Sequence, residues 1–178
     1  NCADKKNNKI ISDPKNPDNM VLQLYGTTGG YWASLAFTEI AFPESFILEC
    51  DIYNIKDPDQ GGHTAKGSIG RSAGSSWTVQ PRSRLLSFDP AQQFQIQGSE
   101  HIGGLVKSFQ YNTWYKIRIS YTSTIDNKIV QEYWINDNHY GKYEYGRVAD
   151  TENKMRYLEL QSSTGSSLFD NIKITAIK

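Results

Sequence analysis

Residues 158–174 read LELQSSTGSSLFDNIKI. Apolar and polar residues alternate through LELQ, small polar residues interrupt, and alternation restarts in FDNIKI. A period of two is the side-chain repeat of a β-strand, so the stretch predicts two strands separated by a break. In the second strand the phase slips. Phe169 and Ile172 are three apart while Ile172 and Ile174 keep step, which predicts a β-bulge at Asp170–Asn171.

The same period runs outward through the chain. MVLQLYG places Met20, Leu22 and Leu24 on one side, and YWASLAF does the same with Tyr31, Ala33, Leu35 and Phe37. FILECDIYN, RLLSF, QFQIQ, WYKIRISY, IVQEYWIN, RYLELQ and NIKITAI follow, bounded by Gly, Pro, Asn, Asp or Ser clusters. No stretch of ten or more residues keeps a helical period, and Val148–Met155, VADTENKM, is the best short helical turn. Residues 56–83 are rich in Gly and Ser and read as loops, with one strand near KGSIGRS. Many short, half-polar strands imply two antiparallel sheets packed face to face, an all-β sandwich. At 178 residues one domain suffices, burying roughly 70% of its unfolded surface. Residues 1–19 read as a polar tether and 20–178 as the domain.

The order of these pieces resembles the concanavalin A-like jelly-roll superfamily of lectins, laminin-G-like modules and glucanases. FILECDIYN supplies an early strand, and a Trp-led strand, NTWYKIRISY, precedes YWINDN and its Asn/Asp turn. LELQSSTGSSLFDNIKI looks like the closing strand pair, with the last strand returning beside the first. The resemblance covers roughly residues 20–178 and implies a jelly roll; its motifs speak to fold and hardly to chemistry. Related jelly rolls often bind a structural calcium beside an aspartate near the last strand. The resemblance therefore implies calcium at Asp170, completed by Glu49 or Asp51, with a plain Asx turn as the alternative.

The 19 basic and 19 acidic residues cancel, and no basic stripe is present, so a nucleic-acid partner is not expected. No apolar run is long enough to cross a bilayer. NCADKKNNK resembles the start of a processed bacterial lipoprotein, which implies a lipid anchor at Cys2 and an extracellular or cell-surface location. Cys50 alternates in phase with Phe46, Leu48 and Ile52 and reads as a small core residue; a Cys2–Cys50 disulfide is the other reading.

Candidate functional residues come from polar faces. Lys116 and Arg118 alternate with Tyr115, Ile117 and Ile119, and Glu132 and Trp134 alternate with Tyr133 and Ile135. Gln95 and Gln97 flank Ile96. If these strands are neighbours, one face carries amides, charges and an indole, which suits a poly- or oligosaccharide stacked by its C–H face. Trp77, among small flexible residues, is a second aromatic plate or an anchor for its loop.

Catalysis finds less support. Glucanases of this superfamily carry Glu-x-Asp-x-x-Glu on one strand, but ECDIYN offers Glu49, Asp51 and then Asn54. Alginate-lyase-like jelly rolls carry Gln-Ile-His after an Arg-rich strand. Here RSRLLSF precedes QIQ, and Gln97 cannot take the proton a histidine would. Their Tyr-rich closing motif is not reproduced by NHYGKYEYG, and His63, His101 and His139 lie in separate segments. The expectation is a non-catalytic glycan-binding module, a monomer or a module of a larger assembly. The alternatives are a polysaccharide lyase or glycoside hydrolase with an atypical site, or an adhesion domain binding protein.

Overall fold

The computed structural model describes residues 8–26, 34–55, 67–72, 84–88, 94–95, 109–147, 155–162 and 165–178. They form twelve strands and, among the described residues, no helix. These are β1 (Lys9–Asp13), β2 (Asn16–Gly26), β3 (Ser34–Glu39), β4 (Phe46–Asn54), β5 (Gly67–Ser72) and β6 (Arg84–Phe88). The remainder are β7 (Phe94–Gln95), β8 (Trp114–Ser123), β9 (Lys128–Ile135), β10 (Asn138–Gly146), β11 (Tyr157–Ser162) and β12 (Gly165–Ala176). A seven-stranded sheet runs β1-β2-β12-β4-β8-β9-β10, and a five-stranded sheet runs β3-β11-β5-β6-β7. Every pairing is antiparallel. The molecule is the expected two-sheet jelly roll. Val148–Met155 falls outside the described residues except for Met155, so the helical turn expected there has no counterpart to report.

The alternation decides the core. Phe46, Leu48, Cys50 and Ile52 of β4 meet Ile117, Ile119 and Tyr121 of β8 on the inner side of the large sheet. Leu158 and Leu160 of β11 and Ile69 of β5 close over them from the small sheet. Each fully buried side chain of this size contributes roughly 1.5–3 kcal/mol. Buried Tyr133 and Tyr145 are matched through their hydroxyls. Tyr133 Oη donates to Gln131 Oε1, and Gln131 Nε2 donates to Tyr145 Oη at 3.3 Å. Cys50 is a free, buried thiol. Burial, with the charges of Asp51 and Asp170, pushes its pKa well up, as suits a packing residue rather than a nucleophile.

The closing segment behaves differently from a hairpin. β11 lies in the small sheet and β12 in the large one, so the chain changes sheets between Ser162 and Gly165. β12 then returns between β2 and β4, beside the early strands as expected. The bulge is also where the phase slip puts it: the β12–β4 register shifts between Asp170 and Lys173, and Asn171 has φ 51°. The tight turn at Asn136–Asp137, both at positive φ, joins β9 to β10; asparagine and aspartate tolerate that backbone best among residues with a Cβ.

The bulge has a consequence for β1 and β2. Pairing of β2 with β12 stops at Leu22–Phe169, just before the bulge, which frees the far end of the β1–β2 hairpin. In a flat sheet β1 and β8 would stand four strand spacings apart, about 19 Å. Yet Trp114 Nε1 of β8 donates to Asp13 Oδ1 at 3.0 Å. The hairpin end therefore curls across the outer face of the large sheet and roofs a second apolar cluster of Val21, Tyr53 and Leu168, with Ile11 and Trp114 against it. Residues 9–19, expected in the tether, are thus strand and latch, because paired backbone and Ile11 hold them to the sheet.

Candidate functional site

The outer face of the large sheet carries most of the residues singled out from sequence. Register places Lys173, Glu49, Arg118, Trp134 and His139 in one row across β12, β4, β8, β9 and β10. Glu132 sits in the next row, opposite Ser120 and Lys142. Lys116, Arg118, Glu132 and Trp134 are therefore neighbours, as the alternation implied.

Their chemistry is largely internal. The Arg118 guanidinium lies 4.4 Å from the Trp134 ring centroid, and His139 meets the same indole edge-on at 5.2 Å. One face of the aromatic plate is thus covered by a cation. Lys116 Nζ pairs with Asp137 at 3.0 Å, Lys173 with Glu49 at 3.8 Å, and Lys128 with both Asp126 and Glu144. Those carboxylates hold the ammonium pKa of Lys116 and Lys128 above its usual value. Paired, exposed charges of this kind make a solvated face.

One of the sequence candidates is elsewhere. Gln95 belongs to β7 in the small sheet, so the face imagined from β7, β8 and β9 together does not exist. The three strands share an alternating pattern, and pattern alone does not say which sheet a strand joins. Gln97 and Trp77 lie outside the described residues.

Asp170 is committed to the bulge. Its Oδ2 accepts from Asn19 Nδ2 at 2.8 Å and its Oδ1 from the Asn171 N–H at 2.8 Å, while Asn171 Nδ2 donates to Asp51 at 2.6 Å. Calcium takes roughly six to eight oxygens. Among the described residues no group of three or more His, Cys, Asp or Glu side chains gathers around one point. The carboxylates of Asp170 and Asp51 accept here from amides of Asn19 and Asn171.

The small sheet presents a different kind of face. Leu158, Leu160 and Ile69 point to the core, so Glu159, Gln161 and Ser68 point away from it. All three are nonetheless buried, at 5%, 5% and 1% exposure. Gln161 and Ser68 are direct cross-strand partners, and Gln161 Nε2 donates to Glu159 Oε1. Among the described residues, Ser68 Oγ and Gln161 Oε1 have no hydrogen-bond partner. A buried polar atom left unmatched costs about 1–3 kcal/mol, which is why native folds rarely leave one without a reason.

Register extends this strip. Ser87 of β6 stands opposite Ser68, Gln95 of β7 stands opposite Ser87, and Arg84 stands opposite Gly70, itself opposite Glu159. The sequence reading missed Ser68, Glu159 and Gln161, although the alternation in LELQ was there to mark Glu159 and Gln161 as one polar face. What it lacked was the knowledge that β11, β5, β6 and β7 lie side by side.

No family model and no curated protein matches the chain by sequence. Solved structures match by shape. A marine PL-14 alginate lyase from Aplysia kurodai superposes with a TM-score of 0.63 at 13% identity, over 99% of this chain and 89% of that one. An endo-β-1,4-glucuronan lyase from the fungus Trichoderma reesei gives 0.62 at 8% identity, over 99% and 90%. A carbohydrate esterase from the Shiga toxin-encoding bacteriophage phi24B gives 0.61 at 10% identity, over 96% and 87%.

At such identities the likeness establishes architecture, and the architecture is the concanavalin A-like jelly roll. It also corrects the functional expectation. Matches spanning nearly the whole chain are catalysts, polysaccharide lyases among them, so the non-catalytic glycan-binding module gives way to the catalytic alternative. Among the described residues no helix is long and apolar enough to cross a membrane.

Proposed function

We propose that this protein is a polysaccharide lyase acting on a uronate-containing polymer, with its groove on the outer face of the small sheet. The observation that carries the reading is the buried pair Ser68 Oγ and Gln161 Oε1, acceptors unmatched among the described residues, beside the Glu159 carboxylate. Groups held in place without partners are preorganised for a substrate that completes them.

Elimination from a uronate removes the proton next to the carboxylate and breaks the bond to the glycosidic oxygen. It asks for a proton acceptor, a donor to the leaving oxygen and polar groups around the sugar carboxylate. Glu159 is the candidate for proton handling. Gln161 and Ser68 are candidates to hold hydroxyls, and Arg84 and Gln95 stand at register positions along the same strip. The architectural likeness to alginate and glucuronan lyases supports the substrate class, while the esterase of the same shape marks the hydrolytic rival. A polymer substrate fits an extracellular or surface-held protein, and lipid at Cys2 belongs to this proposal, checked by the mass of the N-terminal peptide from native material.

The test is incubation with alginate, glucuronan, pectate and neutral glucans, following the ultraviolet absorbance of the unsaturated sugar that elimination leaves. A rise with one acidic polymer is expected. Shortening of a polymer without that absorbance would replace the lyase by a hydrolase, and no change in any polymer would remove the enzyme reading.

A further inference from the structure

The turn from β8 to β9 carries the most exposed large hydrophobic side chain among the described residues: Ile125 stands at 107% exposure. The turn beneath it is nonetheless fixed. The Asn127 N–H donates to the Thr124 carbonyl at 3.1 Å, the Thr124 N–H donates to the Lys128 carbonyl at 2.9 Å, and Asn127 holds φ 60°. Thr124 Oγ1 donates to Asp126 and accepts the Lys128 N–H, and Lys128 Nζ lies 3.3 Å from Asp126. The turn is also tied to the connection from β3 to β4. Ser123 Oγ donates to Glu44 at 3.3 Å, and Arg147, whose N–H donates to the Asn127 carbonyl, lies 3.7 Å from the same carboxylate. Residues 39–44 form one lip of a cavity of about 810 Å³ at this end of the sandwich. Ile40, Phe42, Pro43, Ile129 and Met155 give it apolar walls. Arg71 closes its floor, with the guanidinium 4.3 Å from the Tyr121 ring centroid and Nη2 donating to Tyr121 Oη at 2.8 Å. Ile125 does not line the cavity of its own chain.

We infer that this end of the sandwich is an interface with a second copy of the chain, the Ile125 of each copy entering the cavity of the other. A knob and a hole on one end of a molecule make a self-complementary surface. A twofold axis between two such ends satisfies both contacts at once and closes the assembly at two. An apolar anchor seated in a preformed hole is where interfaces concentrate their binding energy, and a turn already fixed has little ordering left to lose. The charges agree with the shape. Asp126 and Lys128 flank the knob, while the rim carries Arg156 and Glu39, whose side chains make no ion pair among the described residues. Each copy therefore brings a carboxylate for Arg156 and an ammonium for Glu39. Ile177, 37% exposed and held to this end by its N–H donating to the Ser45 carbonyl at 2.9 Å, adds apolar surface beside the knob. The floor has only to meet a hydrocarbon side chain, so Arg71 and Tyr121 keep the partners they have. Neither Ser68 nor Gln161 takes part, and the interface stands whether or not the protein is a lyase.

The experiment is sedimentation equilibrium of the whole chain from micromolar to millimolar concentration, because an end-on contact is small and small specific interfaces are weak. An equilibrium between monomer and dimer is expected. Ile125→Ser removes both knobs from the dimer and should raise the dissociation constant by about 100-fold, roughly tenfold for each side chain no longer buried. Its melting temperature, measured on dilute monomer, should equal that of wild type, since Ile125 is fully exposed in the single chain. Ala41→Trp, on the exposed lip of the cavity, should weaken association similarly by filling the mouth of the hole. Should Ala41→Trp fail to fold, Ile125→Ser carries the test alone. A chain that stays monomeric over the whole range overturns the inference. So does a dimer that Ile125→Ser, or a folded Ala41→Trp, leaves unchanged, and so does growth past two copies, which a twofold contact forbids.

Discussion

The outer faces of the two sheets are built from similar residue types and solve opposite problems. On the large sheet the charges find one another, and the row Lys173, Glu49, Arg118, Trp134, His139 leaves its cations and its indole occupied. On the small sheet Ser68 and Gln161 are buried with acceptor atoms that nothing among the described residues satisfies. A face that completes itself is stable in water and indifferent to ligands. A face that stays incomplete costs stability and keeps its polar atoms for something else. The residues that looked most like a sugar platform in sequence thus belong to the self-completed face.

That contrast can be broken most sharply with paired carboxylate variants. Glu159→Gln should lower the rate of unsaturated-product formation by about 10²-fold or more, the range for loss of a general acid or base. Glu132→Gln, on the large sheet, should leave it within about twofold. Equal losses, or no loss in Glu159→Gln, would put the site elsewhere.

A second comparison concerns the seam between the sheets. A Cβ on Gly67 would come within 2.7 Å of Ile52 Cγ2 and 3.1 Å of Asn54 Oδ1, so the small sheet can approach the large one here only through glycine. Gly67→Ala should cost about 1–3 kcal/mol by overpacking, measured as a lower urea midpoint with an unchanged slope. An unchanged midpoint would mean the seam relaxes freely.

The hairpin latch gives a smaller, pH-dependent effect. Burial tends to raise the pKa of Asp13, but hydrogen bonds from the Lys15 N–H, the Trp114 indole, Asn19 and the Asn16 N–H outweigh it and leave it lowered. A carboxyl whose folded pKa is depressed adds stability that is fully present above its unfolded pKa and is lost as pH falls through the folded one. Asp13→Asn should therefore cost about 1–2 kcal/mol at neutral pH, and the gap to wild type should close in acid. A gap that persisted below the carboxylate range would assign the latch to packing alone.

The smallest expected effect is Trp134→Ala. Removing this half-buried cation–π contact at the surface costs about 0.5–1 kcal/mol, seen as a slightly lower melting temperature, and polymer cleavage should be unaffected. Loss of cleavage would return the large sheet to the functional site.

Sequence by itself determined the class of this protein. Alternation in FILECDIYN and WYKIRISY names which side chains are buried, because successive residues of a strand must face opposite ways whatever their partners. The slip in LFDNIKI locates the bulge for the same reason, and Cys50 falls into the core by its phase. Strand neighbours carry no such local signature. LELQ, QFQIQ and WYKIRISY have one period, yet β11 and β7 joined the small sheet and β8 the large one. Which polar residues share a face, which charges meet partners and which buried atoms go without depend on that assignment. Only the tertiary structure decided it, since it arises from contacts between residues far apart in the chain, and the candidate site moved from Trp134 to Glu159 with it.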